Sequence, residues 1–219
     1  MGIQERKERE KEQRKADIVR CATKVFLAKG FIHASMDEIA ECAEFSKATL
    51  YLYYRNKEEI FLHVINNILD NFIQYIEVRL SEVDSAIDKI RMIGEAYLDF
   101  YSNCHGQYLL LNSQESIAGI DLSNQESYRE YLNRTSRFWT LICAQISVAI
   151  EEGYFQNNVK AIEIAITLWS TSIGLMQILD SIKYQKLPEN SDFQLQLTTL
   201  DYKKILRNLW DAILTIYYK

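Results

Sequence analysis

The chain contains very few residues that break helices. Its 219 residues include seven glycines and a single proline, Pro188. Long segments therefore run without interruption, and this pattern predicts an all-α fold. Hydrophobic residues make up 48% of the chain, which is enough for a buried core. The longest irregular segment that we predict is 185–200.

Residues of the kinds that build metal or catalytic centres are also scarce. None of the three histidines stands beside a matched nucleophile or carboxylate pattern, and no glycine-rich phosphate loop is present. The four cysteines are scattered without metal or redox spacing. We interpret Cys21, Cys42 and Cys143 as small buried apolar side chains, and Cys104 as part of a plain loop. The sequence thus argues against an enzyme and predicts no cofactor and no metal site.

Long hydrophobic runs are missing as well. The N-terminus has no apolar segment that would predict a signal peptide. The longest uncharged run, 164–179, is shorter than a membrane span. We expect a soluble, cytoplasmic protein without a membrane partner.

The chain has no overall excess of positive charge, since its net charge is −5. Its basic character is local. No carboxylate lies between Phe45 and Lys57, whereas Lys47, Arg55 and Lys57 are cationic. Cationic contacts to the phosphate backbone supply most of the affinity of DNA-binding proteins, so this segment is a candidate for such contacts.

Three helix starts follow one another within 27 residues. Ser35 and Glu38 have the spacing of a capping box, Ser46 is a second N-cap candidate, and Asn56 with Glu59 forms a third. The first two helices are short and separated by a tight turn. This arrangement is typical of a helix-turn-helix unit, whose second helix enters the DNA major groove.

The second helix of this unit has two different faces. At 100° per residue, Leu50 and Tyr54 point the same way and can fill a small core. Leu52 points outward, and Tyr51 and Tyr53 flank it or border the same face. A polar solvated face is the ordinary alternative, but a short helix that exposes several large side chains favours a DNA-reading surface.

This ordered set of residues resembles the TetR family of one-component repressors. The resemblance covers roughly residues 12–65 and continues more loosely to the end of the chain. It implies an all-helical homodimer, with a DNA-binding domain at residues 1–60 and a ligand-binding and dimerisation domain at residues 61–219. The positions that carry it are Gly30-Phe31, Ser35, Ile39-Ala40, Ser46 to Tyr54, and Asn56 to Phe61.

The resemblance also implies roles for individual residues. One group would face DNA bases: Lys47, Ala48 and Tyr51. A second group would hold phosphates: Thr49, Tyr53 and Lys57. Ser35 would cap the helix that crosses the DNA backbone. Two positions depart from the family pattern, because Glu44 replaces the usual turn glycine and Tyr54 replaces a phenylalanine.

Residues 4–15 are nearly all charged, with both signs mixed. Glu5–Arg9 and Glu10–Arg14 have the spacing of pairs that support a helical extension. We expect a frayed, solvated tail there, with an arm that touches the DNA backbone as the alternative. The first helix with a clear apolar face is predicted from about 14 to 29. Gly30 fits the C′ position that follows its end.

A long helix is predicted to begin at Lys57 and to carry an apolar stripe of more than five turns. It would connect the helix-turn-helix unit to further helices near 85–101, 107–117 and 124–152. Aromatic side chains with polar tips on the later helices suit a pocket for a small apolar or aromatic effector. The wall residues that we expect are Tyr101, Trp139 and Trp169. Ordinary core packing explains each residue equally well, and only the resemblance favours a pocket.

The last two predicted helices, 159–184 and 202–218, differ from the rest. The first is apolar on nearly every side, and a helix of that kind must be buried on all sides. We therefore expect both to pack against a partner subunit, and the resemblance implies a four-helix homodimer interface. A twofold dimer would bind a palindromic operator in double-stranded DNA.

Two hypotheses of different classes remain. The first is a ligand-responsive transcriptional regulator, acting as a repressor that a small effector releases from DNA. The second is a helical dimeric protein-interaction module with a degenerate helix-turn-helix. The acidic net charge and Glu44 favour the second, whereas Lys47, Tyr51, Tyr53 and Lys57 together favour the first.

Overall fold

The computed structural model describes residues 2–113, 126–184 and 199–219. The described residues form nine helices and no β-strand, which confirms the all-α fold. An isolated bridge joins Phe155 and Tyr218. The helices are α1 (Ile3–His33), α2 (Met36–Cys42), α3 (Lys47–Tyr51), α4 (Lys57–Leu80), α5 (Ala86–Asn103), α6 (His105–Asn112), α7 (Glu126–Glu151), α8 (Ala161–Tyr184) and α9 (Tyr202–Tyr217).

Helix α1 is longer than the sequence predicts. The charged segment 4–15 is helical, so the expected frayed tail is wrong. Arg6 pairs with Glu10 at 2.9 Å, and such pairs one turn apart stabilise an exposed helix. Gly30 does not end the helix; it interrupts it with φ 73° and ψ 167°, and the helix then resumes as far as His33. Glycine adopts this conformation without steric cost.

The later helices agree with the predicted ones to within two residues at each described end except that of α6, which ends at Asn112 and not at residue 117 as predicted. Gly153, with φ 82°, follows α7, and the Tyr154 N–H donates to the Ala149 carbonyl at 3.0 Å. This is a Schellman ending. The irregular segment predicted around Pro188 lies outside the described residues.

The chain divides into two compact units. The first, unit 1, comprises Met1–Gln74 and Cys104–Ser136, and the second, unit 2, comprises Tyr75–Asn103 and Arg137–Lys219. In unit 1, Phe26, Phe31 and Phe61 form a buried aromatic core with ring centroids 4.6 to 5.9 Å apart. The division of function at residue 60 stays a prediction.

Unit 2 has a close contact between α5 and α9. Gly94 faces the ring of Trp210 so closely that a Cβ atom at position 94 would lie 2.8 Å from a ring carbon. The Trp210 indole N–H donates to the Ser172 hydroxyl at 2.9 Å, in a buried position. Trp210 is therefore a core residue of unit 2.

Helix α8 has apolar side chains on its outer surface. By length and composition, residues 161–182 could cross a membrane, with a mean hydropathy of 1.5 and 28% of the segment buried. Core and interface helices of soluble proteins have the same properties. Ile162, Ile166 and Ile178 are exposed on this helix.

Two of the cysteines depart from their expected environments. Cys21 is buried as predicted, but Cys42 is exposed and Cys143 is half-buried. Cys42 is the last residue of α2, where the chain turns away, and the prediction of burial there is wrong. Cys104 lies at the N-cap of α6.

Candidate nucleic-acid interface

Helix α2 begins with the capping box that the sequence predicts. The Glu38 N–H donates to the Ser35 hydroxyl oxygen at 3.3 Å, and the Ser35 N–H donates to the Glu38 carboxylate at 2.9 Å. Lys29 also binds this carboxylate. The Lys29 ammonium and the Ser35 donors lower the pKa of Glu38 to about 2. Ser35 thus has the capping role that the family resemblance implies.

The turn after α2 holds a residue in the left-handed region. Glu44 has φ 57°, the single positive φ of a non-glycine residue in the described ranges. The Phe45 N–H donates to the Ala40 carbonyl at 2.9 Å and the Glu44 N–H to the Glu41 carbonyl at 3.1 Å. These are the two bonds of a Schellman motif, and Glu44 occupies the position that favours glycine. The turn keeps its conformation despite the substitution.

Helix α3 presents its large side chains to solvent. Ser46 caps the helix by accepting from the Thr49 N–H at 3.0 Å, and Leu50 is fully buried as predicted. Ala48 and Tyr51 are exposed, and Leu52, just after the helix, is 81% exposed. The predicted reading face is therefore accessible.

Lys47, at the start of α3, is bound to a carboxylate. Its ammonium lies 2.9 Å from the carboxylate of Asp37 in the first turn of α2. This hydrogen bond raises the pKa of Lys47. Sequence analysis missed Asp37, because nothing at a spacing of ten residues indicates that the turn brings these groups together.

The residues expected to hold phosphates also have partners within the protein. The Thr49 hydroxyl lies 2.8 Å from that of Ser46. The Tyr53 hydroxyl accepts from the Arg14 guanidinium at 3.3 Å. Arg14, on the exposed segment of α1, is a second residue that sequence analysis missed, and its side chain adds positive charge beside Tyr53.

Lys57 has the most extensive set of contacts. Its ammonium donates to the carbonyls of Phe31 at 2.7 Å, Ala34 at 2.8 Å and Ile32 at 3.3 Å. It also lies 4.5 Å from the centroid of the Phe31 ring. Lys57 therefore satisfies carbonyls at the C-terminal end of α1, and a phosphate would compete with them for this ammonium.

Tyr54 is buried, and its hydroxyl donates to the Lys15 carbonyl at 3.5 Å. A tyrosine at this position, unlike the usual phenylalanine, needs a hydrogen-bond acceptor for its hydroxyl. Helix α1 provides that acceptor. Burial raises the pKa of this hydroxyl.

The three residues predicted to line an effector pocket all belong to unit 2. Two of them lie in an aromatic cluster, and the third has other contacts. Trp139 and Trp169 are 6.0 Å apart in an aromatic cluster that also holds Tyr97 and Phe138. Tyr101 donates to the Asp180 carboxylate at 2.8 Å and packs on Tyr202. A surface pocket in unit 2 is lined by other residues, from Arg91 to Leu98 on α5 and from Leu206 to Asp211 on α9.

Comparisons with known proteins agree with one family. The sequence profile described as "Bacterial regulatory proteins, tetR family" matches residues 18–64. The HTH-type transcriptional regulator YfiR of Bacillus subtilis is 33% identical over 174 residues, which cover 76% of this chain and 80% of that protein.

A second relative is the HTH-type transcriptional activator FasR of Mycolicibacterium smegmatis, 30% identical over 115 residues. The match covers 52% of each protein, so the chain spans about half the length of that relative. The crystal structure of AibR in complex with isovaleryl coenzyme A and operator DNA is similar in fold, with a TM-score of 0.61 and 18% identity. That likeness covers 94% of this chain and 98% of AibR.

Proposed function

Because the chain belongs to the tetR family of bacterial regulatory proteins, we propose that it is a cytoplasmic transcriptional repressor that binds a palindromic DNA operator as a homodimer. The observation that carries this proposal is the outer surface of α3. Lys47, Ala48 and Tyr51 are exposed there, on a short helix that follows a tight turn. A surface that only contacts water gives no reason to expose Tyr51 and Leu52. In a DNA complex, these side chains could contact base edges and thymine methyl groups.

The proposed base contacts come from Lys47, Ala48 and Tyr51, and the proposed phosphate contacts from Thr49, Tyr53 and Lys57. Arg14 can join the second group through its contact with Tyr53. Lys57 can bind a phosphate through its backbone N–H at the start of α4. Its ammonium can then keep its hydrogen bonds to the carbonyls at the end of α1.

The proposed dimer interface is formed by α8 and α9, residues 159–184 and 202–218. On α9 the exposed or half-buried side chains of Ile205, Leu209, Ala212 and Ile216 follow a spacing of four, three and four residues, which places them on one face. Ile216 is 71% exposed. An apolar strip of this kind, together with the exposed isoleucines of α8, favours burial against a second copy.

We further propose that a small apolar or aromatic effector binds near Trp139 and Trp169, or near Tyr101, and lowers operator affinity. Helix α4 runs without interruption from the helix-turn-helix segment into residues of unit 2. A shift of this helix would change how α3 is presented. An effector can act only by binding the two states with different affinity, and a 100-fold loss of DNA binding corresponds to about 2.7 kcal/mol.

The operator proposal is tested by fluorescence anisotropy with duplexes from the DNA upstream of the chain's own gene. Specific binding should appear to a palindrome whose half-sites are about 34 Å apart, or a multiple of this. Lys47→Ala should cost about 1–3 kcal/mol and relax base preference if Lys47 binds guanine. Failure of the dimeric wild type to bind any duplex at low salt would instead favour the protein-interaction module.

The effector proposal is tested by titrating candidate ligands into the preformed protein–DNA complex while recording tryptophan fluorescence. A ligand that quenches the emission and releases DNA supports the coupling. Tight binding without any change in DNA affinity would show that the effector site and α3 are independent.

A further inference from the structure

Two cysteines meet between the first two helices of unit 1. Cys21 lies on α1 with 5% of its surface exposed, and Cys42 is the exposed last residue of α2. The Cys21 sulfur lies 3.1 Å from the carbonyl oxygen of Cys42, and the nearby Cys42 thiol contributes to raising the pKa of Cys21. Both cysteines are in the reduced form. The backbone of Cys42 thus lies within hydrogen-bond distance of the Cys21 sulfur.

The two thiols differ in a way that assigns them different chemical roles. Burial is the largest cause that raises the pKa of Cys21, to about 11, so this thiol stays protonated at neutral pH. A protonated, buried thiol does not react with an oxidant in solution, so Cys21 is not the first thiol to be oxidised. Cys42 is exposed at a helix end and is therefore the sulfur that an oxidant in solution meets first.

We propose that Cys21 and Cys42 form a reversible intramolecular disulfide when a hydroperoxide oxidises Cys42. The Cys42 thiolate attacks the terminal peroxide oxygen, the O–O bond breaks, and the departing alkoxide takes up the proton that Cys42 lost. Cys42 is then a sulfenic acid. The Cys21 sulfur attacks the Cys42 sulfur, the S–O bond breaks, and the hydroxyl leaves as water with the Cys21 proton. The thiols lose two electrons in total, and the peroxide gains them.

The disulfide changes the geometry at the turn before α3. A sulfur–sulfur bond of about 2.05 Å requires the exposed Cys42 sulfur, at the end of α2, to move against Cys21 on α1. Cys21 is fixed in the core beside fully buried Ile18 and Ala22, and most of the movement therefore falls on Cys42 and on Ala43 to Phe45. These residues lead directly into α3. The consequence for DNA binding rests on the proposed function: oxidation should weaken operator binding, and a thiol reductant should restore it.

The chemistry is tested on the full chain without DNA. The reduced protein is treated with stoichiometric hydrogen peroxide, denatured, and assayed for thiols, whose number should fall from four to two. Tryptic digestion without reductant should yield one product that joins the peptides 21–24 and 30–47, and dithiothreitol should separate them. Absence of this product while Cys42 becomes oxidised, or a Cys42 bridge between two chains, would overturn the proposal.

Single variants separate the two roles. Cys42→Ser should keep its three thiols under the same treatment, because buried Cys21 does not react alone. Cys21→Ser should stop at the sulfenic acid on Cys42, which a cyclic 1,3-dione reagent traps. The matched control replaces both Cys104 and Cys143 by serine and should still form the disulfide. Loss of the disulfide in this control would overturn the assignment.

Operator binding provides a separate measurement. Oxidised wild type should bind roughly tenfold more weakly or worse, as expected for losing one base contact, whereas peroxide should not change binding by Cys42→Ser. If the disulfide forms and affinity is unchanged, the regulatory consequence is wrong. If the reduced protein binds no duplex, the proposed function fails, and the disulfide mapping still decides whether the thiol site exists.

Discussion

Single side chains of the candidate DNA-binding surface are already bound to partners within the protein. Lys47 is held by Asp37, and Lys57 is held by three carbonyls of the α1 end. A DNA phosphate or base must replace these partners or share the cation with them. The internal contacts therefore influence both the affinity and the specificity of any DNA complex.

Replacing Asp37 by asparagine should strengthen duplex binding by roughly two- to fivefold, because an exposed ion pair contributes at most about 1 kcal/mol. The change releases the Lys47 ammonium and removes a negative charge near DNA. Binding of unrelated duplexes should increase at least as much as operator binding, so specificity falls. Anisotropy titrations of both duplexes measure this ratio. Glu41→Gln, with the same charge change on α2, is the control, and an equal effect from it would exclude a specific role for Asp37.

Glu44 combines a strained backbone with a negative charge, and two variants separate these effects. Glu44→Gly should raise the free energy of unfolding by up to about 1 kcal/mol, because glycine adopts φ 57° without the penalty of a side chain. Glu44→Gln keeps the strain and should leave stability nearly unchanged. Both variants should bind DNA more tightly than wild type. Urea unfolding and anisotropy test this, and equal stability of the three proteins would remove the strain argument.

At the scale of the helices, the start of α4 stabilises the end of α1. Lys57→Met should lower the free energy of unfolding by about 1–3 kcal/mol, since it leaves partly buried carbonyls without their charged donor. Lys47→Met is the control, because its ammonium binds an exposed carboxylate and its loss should lower the free energy of unfolding much less. Urea unfolding compares the two variants. Equal losses would mean that the Lys57 contacts do not stabilise this junction.

The cap of α2 should respond to acid. The pKa of Glu38 is lowered in the folded protein to about 2, below its ordinary value of 4.5. Its contribution to stability is therefore complete above pH 4.5 and is lost as the pH falls towards 2. Stability of Glu38→Gln should depend less steeply on pH in this window than stability of wild type. Thermal melts between pH 2 and 5 test this, and parallel curves for both proteins would contradict it.

Local sequence patterns predicted the helices better than the contacts between them. The caps at Ser35, Ser46 and Asn56 were predictable, because each side-chain oxygen accepts from a backbone N–H only three residues away, which for Asn56 is that of Glu59 at 2.8 Å. The interruption at Gly30 was not, since the helix resumes where Phe31 packs against Phe61, a residue distant in the sequence. The partners of Lys47 and Lys57 were hidden for the same reason.

Cys42 shows the same limit for burial. Its neighbours Ile39 and Ala40 are buried on the inner face of α2, and a cysteine near them was expected to follow. It lies instead at the helix end on the outer side. Composition predicts how apolar a residue is, but only the direction of the last helical turn determines whether it is covered.

At the scale of the whole molecule, the residues of α9 differ in whether they face the protomer's own core or solvent. Only a solvent-facing residue is suitable for a substitution that tests the dimer interface. Trp210 packs on Gly94 and Ser172 within unit 2, so Trp210→Asp would disrupt the protomer itself. Leu209 is 36% exposed and belongs to the apolar strip with Ile216. A specific interface buries about 1,200–2,000 Å², and a charge placed within its apolar part has no partner.

Leu209→Asp should therefore give folded monomers that bind the operator weakly, because each monomer reaches only one half-site. Light scattering at micromolar concentration measures the mass, and circular dichroism verifies that the helices remain. Asn208→Asp is the matched control: it adds the same charge at the adjacent exposed position, outside the apolar strip, and should stay dimeric. A monomeric wild type would refute the homodimer, whereas a dimeric Leu209→Asp protein would place the interface away from the outer face of α9.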